Sequence, residues 1–151
     1  MKRSFTTIAL TAVLLLTVGV SSSFARNTNN DNDNNSVSFR KDFSQAELLS
    51  TSTVSDYTKV TFKMNGAVLT AFYSNKGELI AITHNITVSQ LPLTLMMQVK
   101  KTYGNYWISD LFELNTNGET NYYITLENAD KKITLRSSEN TWEQFSKATK
   151  E

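Results

Sequence analysis

Residues 57–74 read YTKVTFKMNGAVLTAFYS, two alternating segments around an Asn-Gly pair. In the first segment Val60 and Phe62 alternate with polar side chains, as in a strand with one buried side. Asn65-Gly66 is typical of a type I′ hairpin turn, because both central residues of that turn need positive φ. The stretch therefore predicts an antiparallel hairpin.

Outward from this hairpin, the sequence predicts further strands and two helices. Strands are predicted over residues 57–64, 67–74, 78–85, 106–114, 120–128, 131–138 and 141–146. A first helix is predicted over residues 41–49, where Phe43, Ala46 and Leu49 are spaced three apart. A second is predicted over residues 91–103, with Pro92 at its first position and Gly104 after its end.

The two halves of this pattern resemble each other at a spacing of about 60 to 65 residues. Phe43 aligns with Tyr103, and the alternating pair Val60 and Phe62 aligns with Ile124 and Leu126. Neither half buries its helix well alone, so the two are expected to pack side by side. The predicted fold is therefore α+β. It is a tandem repeat of a helix plus antiparallel strands, forming one sheet of seven or eight strands with both helices on one face.

The N-terminus has the layout of a cleaved secretory signal peptide over residues 1–25. Lys2 and Arg3 precede an apolar run over residues 5–20, and small residues lead to Ala25. An uncleaved membrane anchor is the alternative, but the run is shorter than the ~20 residues that span comfortably. There is no cysteine for lipid attachment. We therefore expect a periplasmic or secreted protein with no transmembrane segment after cleavage.

The remaining chain divides into a linker and one domain. Residues 26–36 are rich in Asn and Asp and cannot bury apolar surface, which favours a linker. Residues 37–151 are predicted to form a single domain with two repeats at about 37–88 and 89–148.

A calcium loop is the alternative for the acidic segment, with Asp31, Asp33, Asn35 and Asp42 at ligand positions. Ser36 stands where such a loop needs Gly, so the solvated spacer is favoured.

Composition excludes several classes of function. The chain has no cysteine, one histidine and a formal charge of +1, which becomes −1 if residues 1–25 are removed. These values do not fit a strongly basic nucleic-acid binder or a thiol or multi-histidine metal site. His84 has no acid or nucleophile beside it in the sequence, and no nucleophile elbow or phosphate loop is present. We therefore predict no catalytic, cofactor-binding or metal-binding residues and no enzyme activity.

Several strings resemble a PepSY-like, beta-lactamase-inhibitor-like family of exported bacterial proteins. They are AFYSNKGELIAITHNI, LPLTLMMQVKKTYGNYWISDLFEL and NYYITLENADKKITLRSSENTW, within residues 37–148. The motifs are mostly turn and core residues, such as Asn65-Gly66, Leu91-Pro92 and Tyr122-Tyr123. The resemblance implies the tandem architecture described above. The family's inhibitor is stapled by disulfides that this sequence cannot form, so only the fold is carried over.

Alternation also predicts a candidate protein-binding face. Tyr57, Lys59 and Lys63 point to the side of their strand away from Val60 and Phe62. Tyr123 likewise points to the side of its strand away from Ile124. Aromatic residues most often fill cores, but Tyr with Lys on an uncovered sheet suits recognition of a protein or peptide.

The predicted function is an exported, non-catalytic binding module, inhibitor-like, that uses its open sheet face or hairpin loops. The alternatives are an envelope-associated structural or regulatory protein without a tight partner and, more remotely, an enzyme.

The signal peptide gives the first testable prediction. Because Ala25 ends a small-residue cleavage site, the mature protein should begin at Arg26. N-terminal sequencing of protein from its native host checks this. A membrane-bound form that retains Met1 would contradict it.

Overall fold

The computed structural model describes residues 33–150. In chain order its elements are α1 (Asp33–Asp42), β1 (Glu47–Val54), β2 (Tyr57–Met64), β3 (Ala67–Ser74), β4 (Leu79–Asn85), a 3₁₀ turn (Val88–Gln90), α2 (Leu93–Thr102), β5 (Trp107–Thr116), β6 (Glu119–Glu127), β7 (Lys131–Ser138) and β8 (Thr141–Thr149). A helix followed by four strands thus occurs twice.

The eight strands form one sheet in the order in which they occur in the chain. Each strand pairs antiparallel with the next, including β4 with β5 where the two halves meet. The cross-strand register puts the apolar residues that pack against α1 on the same side of the sheet as those that pack against α2. The predicted α+β fold is confirmed, with eight strands and two helices on one face.

Tight turns make this continuous pairing possible. Asn65 and Gly66 have φ of 51° and 81°, and Asn117 and Gly118 have φ of 54° and 82°. Positive φ at both central residues gives the turn a twist that matches the flanking strands. The Asn-Gly hairpin predicted from the sequence therefore occurs once in each half.

The first half is held together by packing of α1 onto β2 and β3. Phe39 is buried, and its ring centroid lies 5.2 Å from that of Phe62. Phe43, just after the helix, places its ring 4.6 Å from the same Phe62. Tyr73 is buried too, and its hydroxyl donates to Asp42 Oδ2 at 3.1 Å. An aromatic cluster thus attaches the helix to the sheet.

The second half has an aliphatic core under α2. Leu95 and Val99 of the helix are buried, and Trp142 Nε1 donates to the Leu95 carbonyl at 2.9 Å. The other buried residues of this cluster are Leu91, Leu111, Ile124, Leu126, Ile133 and Leu135. The hydrogen bond from Trp142 to Leu95 ties α2 to the last strand of the sheet.

The predicted first helix over residues 41–49 is wrong. The helix ends at Asp42, and residues 47–54 form β1 at the edge of the sheet. Spacing of three apolar residues suggested a helix, but the Ser, Thr and Val residues that follow favour a strand. The helix forms earlier, in residues of low helix propensity, because the sheet holds it. One contact that holds it is the hydrogen bond that Asn35 Nδ2 of α1 donates to Thr58 Oγ1 of β2 at 2.7 Å.

The start of α1 also changes how the Asn/Asp-rich segment is interpreted. The helix begins at Asp33, inside the predicted linker 26–36 and before the predicted domain start at 37. It spreads Asp33 and Asp42 along about 13 Å, so these residues do not form a calcium loop. The predicted signal peptide and the rest of the linker lie outside the described residues.

The hairpin between β2 and β3 gives a testable prediction. A Cβ at Gly66 would meet no atom within 4 Å, so a side chain there strains only the backbone. We expect Gly66→Val to lower the free energy of unfolding by about 1–3 kcal/mol. Gly66→Asn is the control and should cost less, because Asn tolerates positive φ. Chemical denaturation of the three proteins checks this, and equal stability of all three would contradict the turn assignment.

Candidate binding surface

The side of the sheet opposite the helices is uncovered in residues 33–150, and we call it the open face. Cross-strand register identifies its residues, because side chains directly opposite each other point to the same side. On β2 and β3 they are Tyr57, Lys59, Thr61, Lys63, Val68, Thr70, Phe72 and Ser74. In the centre and second half they include Ala81, Thr83, Asp110, Phe112, Leu114, Tyr123, Thr125, Glu127, Lys132, Thr134 and Arg136.

All four residues of the predicted binding face lie on the open face. Lys63 is exposed, whereas Tyr57, Lys59 and Tyr123 are half-buried. Tyr57 is on β2 and Tyr123 on β6, so four strand spacings of about 4.8 Å place them about 19 Å apart along the sheet. The four residues share a side but not one patch, and their role in binding stays a prediction.

Each of the two tyrosines belongs to an aromatic group. The Tyr123 ring stacks on Phe112 at 5.1 Å with an interplanar angle of 4°, and Phe145 meets its edge at 5.6 Å. In the other half, the Tyr57 ring lies 5.8 Å from that of Phe72.

Phe72, Phe112 and Phe145 also lie on the open face, and the sequence alone did not predict them there. Phe72 could have been found by extending the alternation of β2 through the hairpin. Phe145 could not, because the pairing of β7 with β8 shifts between Thr134 and Leu135 and breaks the alternation.

Two apolar residues lie between the aromatic groups at the centre of the open face. Ala81 is 4% exposed and Leu114 is 5% exposed, although both point away from the helices. Their own neighbours on the open face must shield them, since neither helix lies on that side. Ala81 and Leu114 therefore stabilise the middle of the sheet, and the side chains around them form the surface that a partner would contact.

Ion pairs occupy the second half of the open face. Arg136 Nη2 lies 3.3 Å from Glu143 Oε2, and Lys132 Nζ lies 3.4 Å from Glu127 Oε1. Lys150 Nζ lies 2.7 Å from the other oxygen of Glu127 and 4.7 Å from the centroid of the Trp107 ring. Hydrogen bonds from Lys150 and Ser109 lower the pKa of Glu127 to about 2. The carboxylate thus fastens the C-terminal end of β8 to β6.

His84 lies on the opposite side of the sheet. It pairs across strands with Glu113, which in turn pairs with Tyr122, so three titratable residues are neighbours on the helix side. Burial and the nearby Glu113 raise the pKa of Tyr122. The sequence alone did not place an acid near His84, because the two residues are on strands that only the β4–β5 pairing brings together.

A shallow cleft of about 450 Å³ lies between the end of β4 and the start of β5. Its lining includes Asn85, Val88 and Asp110, and Asp110 is the one titratable side chain among its lining residues. Within residues 33–150, no three His, Asp or Glu side chains form a group that could hold a metal ion. No helix in the same range is long and apolar enough to cross a membrane.

No protein-family model and no curated protein matches the sequence. Solved structures match the fold. A DUF2874 family protein from Bacteroides ovatus has a TM-score of 0.69 at 16% identity, covering 81% of this chain and 89% of its own. A BLIP-like protein from Bacteroides fragilis has a TM-score of 0.65 at 16% identity, covering 77% and 84%.

A third match is a protein from Bacteroides eggerthii that is provisionally assigned to the periplasm. It has a TM-score of 0.67 at 12% identity and covers 78% of this chain and 87% of its own. At these identities the likeness establishes the fold and leaves the chemistry of the surface open. The expected beta-lactamase-inhibitor-like fold is confirmed, and the PepSY-like part of the resemblance stays a prediction.

The Glu127 cluster gives a prediction about pH. The pKa of Glu127 is about 2 in the folded protein against an ordinary 4.5, so its carboxylate stabilises the fold above pH 4.5. That stabilisation is lost as the pH falls from about 4.5 through about 2. We expect Glu127→Gln to lower the melting temperature at pH 7, and the difference from the unchanged protein to shrink by pH 2.

The matched control is Glu143→Gln, which removes an exposed ion pair with Arg136. Exposed pairs contribute little, so this variant should melt near the unchanged protein at every pH. Thermal melts of the three proteins between pH 2 and pH 7 check both expectations. A Glu127→Gln difference that is constant with pH would contradict the role of the carboxylate.

Proposed function

We propose that this protein is an exported, non-catalytic binding module that recognises a protein partner through its open face. The observation that carries the proposal is the composition of that face. Half-buried aromatic rings lie in both halves of the face, Tyr57 with Phe72 and Tyr123 with Phe112, and no helix of residues 33–150 covers them. Such rings offer a large contact area at low cost in side-chain entropy.

The four residues named from the sequence have distinct parts in this proposal. Tyr57 and Tyr123 are the anchors, each supported by a phenylalanine ring on the neighbouring strand. Lys59 lies next to the first anchor on the same side of β2, Lys63 lies at the other end of that strand, and both contribute charge that steers and orients a partner. The rigid sheet supports this arrangement, because every one of these residues is on a paired strand and not on a loop.

Export to the periplasm or outside the cell is part of the same proposal. It is supported by the signal-peptide pattern of residues 1–25 and by the provisional periplasmic assignment of one protein with this fold. The BLIP-like neighbour supports an inhibitor-like mode in which the module covers a surface of its partner. PepSY-like ancestry is compatible with the tandem architecture.

The proposal predicts that the two sides of the sheet respond differently to mutation. Tyr123→Ala should weaken partner capture by about 1–2 kcal/mol or more, because it removes an anchor ring. Phe62→Ala, which empties a fully buried site, should instead cost about 3–5 kcal/mol of stability. Met97→Ala, on the exposed side of α2, is the control and should change neither quantity.

The protein without residues 1–25 is immobilised, and the amount of each envelope protein of the native host that it captures is measured. Unfolding free energies are measured in parallel, since Tyr123 also stacks on Phe112 and its loss costs some stability. Normal capture by folded Tyr123→Ala would place recognition elsewhere, in the hairpin loops. If the unchanged protein captures nothing above the level of an unrelated control protein, the structural or regulatory alternative without a tight partner replaces this proposal.

A further inference from the structure

The two halves of the open face can be compared position by position. Thr61 and Thr70 hydrogen-bond across β2 and β3 at 3.4 Å, and Thr125 and Thr134 do so across β6 and β7 at 3.3 Å. Both pairs are offset by 64 residues, so this offset relates the two hairpins on the open face. Residues related by it occupy equivalent places in the two halves.

At one pair of equivalent positions the halves differ in charge balance. In the second half Glu127 is opposite Lys132, and the two side chains form an ion pair. In the first half the equivalent residues are Lys63 and Val68, so the cation is opposite an apolar side chain that is 52% exposed.

The second pair of positions shows the same difference. Tyr123 is opposite Arg136, whose charge is balanced by Glu143 on the next strand. The equivalent residues in the first half are Lys59 and Phe72, and the next strand places Ala81 beside Phe72. The position that supplies a carboxylate in the second half therefore supplies a methyl group in the first.

Lys59 and Lys63 form no ion pair with any residue that the structure describes. Glu47 is opposite Lys63 across β1 and β2, but their side chains are not in ion-pair contact. Lys59 is half-buried between Ser52 and Phe72 on the flanking strands. We call Lys59, Lys63, Val68 and Phe72 the lysine surface.

We propose that the lysine surface binds an extended, acidic segment of the partner protein. Two carboxylates of that segment pair with Lys59 and Lys63, and an apolar side chain between them lies over the Thr61–Thr70 pair, between the side chains of Phe72 and Val68. The inference rests on the proposed function, since it names what one half of the open face recognises. It follows from charge complementarity, because the segment supplies the carboxylates that the second half supplies for itself.

The spacing of the lysines determines the form of the segment. Lys59 and Lys63 are four residues apart on one side of β2, which is about 13 Å. An extended segment spans this distance with carboxylates four residues apart and an apolar residue midway on the same side. In a helix, carboxylates four residues apart are only about 6 Å apart, so the extended form matches the lysine spacing at this separation in sequence and the helix does not.

The rest of the open face argues for a protein segment rather than a polyanion. Asp110, Glu127 and Glu143 lie on its second half, within a few strands of the lysine surface. A nucleic acid or an anionic membrane lying across the face would meet these carboxylates as well as the lysines. A short acidic segment avoids them by staying on β2 and β3.

The test uses a synthetic peptide with the sequence Gly-Glu-Thr-Phe-Thr-Glu-Gly, acetylated at its N-terminus and amidated at its C-terminus. The peptide is added to ¹⁵N-labelled protein without residues 1–25. We expect amide shift changes concentrated in β2 and β3. Binding should weaken about tenfold or more when both Glu residues of the peptide are replaced by Gln. It should also weaken as salt rises from about 50 mM to about 500 mM, because the Debye length falls.

Protein variants separate this site from general attraction to positive charge. Lys59→Gln with Lys63→Gln should lose binding to the same extent as the neutral peptide. Lys131→Gln with Lys147→Gln is the matched control, since it removes two exposed cations that lie outside the open face. This control should bind the peptide as the unchanged protein does.

Three results would overturn the inference. The first is absence of binding at about 5 mM peptide. The second is that the neutral Gln peptide binds as tightly as the Glu peptide. The third is that the two double lysine variants lose the same amount of peptide affinity. Failure here is distinct from failure of the proposed function. If Tyr123→Ala still abolishes capture of a partner while the peptide does not bind, the open face recognises a partner of different chemistry and only this inference falls. If the unchanged protein captures nothing, the proposed function itself falls.

Discussion

Continuous pairing of each strand with the next in sequence is the constraint on which the rest of this structure depends. Because side chains alternate along every strand and align across every pair, the side on which one residue lies determines the side of all others. Phe62 on β2 beneath α1 and Ile124 on β6 beneath α2 are therefore on the same side, although β3, β4 and β5 lie between them. A slip of one residue in any hairpin would exchange core and open face beyond it.

Within residues 33–150 both helices lie on one side of the sheet, and the open face is on the other side. The helix side buries Phe39, Phe62, Leu95 and Ile124 and supplies the hydrophobic stabilisation of the fold. The open side then needs to be only polar enough to remain in water. It nevertheless carries paired aromatic rings in both halves and an exposed Val68, more hydrophobic surface than solubility alone would favour. This excess is the physical basis of the proposed binding role.

The tandem architecture gives the two halves the same backbone but not the same chemistry. Equivalent threonine pairs show how closely the hairpins correspond. Around them, the second half neutralises its own charges through Glu127 and Glu143, whereas the first half leaves two lysines beside apolar side chains. Since the scaffold is shared, the difference lies in the side chains, and the first half is where a charged partner would contribute most.

Much of this protein was determined by local sequence alone. The alternation in residues 57–74, the Asn-Gly turns and the apolar stripe of α2 specify hairpins and a helix through short-range sterics and periodicity, so their strands agree closely with the structure. The same alternation placed Tyr57, Lys59, Lys63 and Tyr123 on one side of the sheet. Tertiary structure decided what depends on distant partners. Contacts from Thr58 and Tyr73 hold α1 in an Asn-rich segment that local propensity would leave irregular. The β4–β5 pairing brings His84 to Glu113, and a register shift turns Phe145 towards Tyr123. Such contacts join residues far apart in the chain, and no local pattern encodes them.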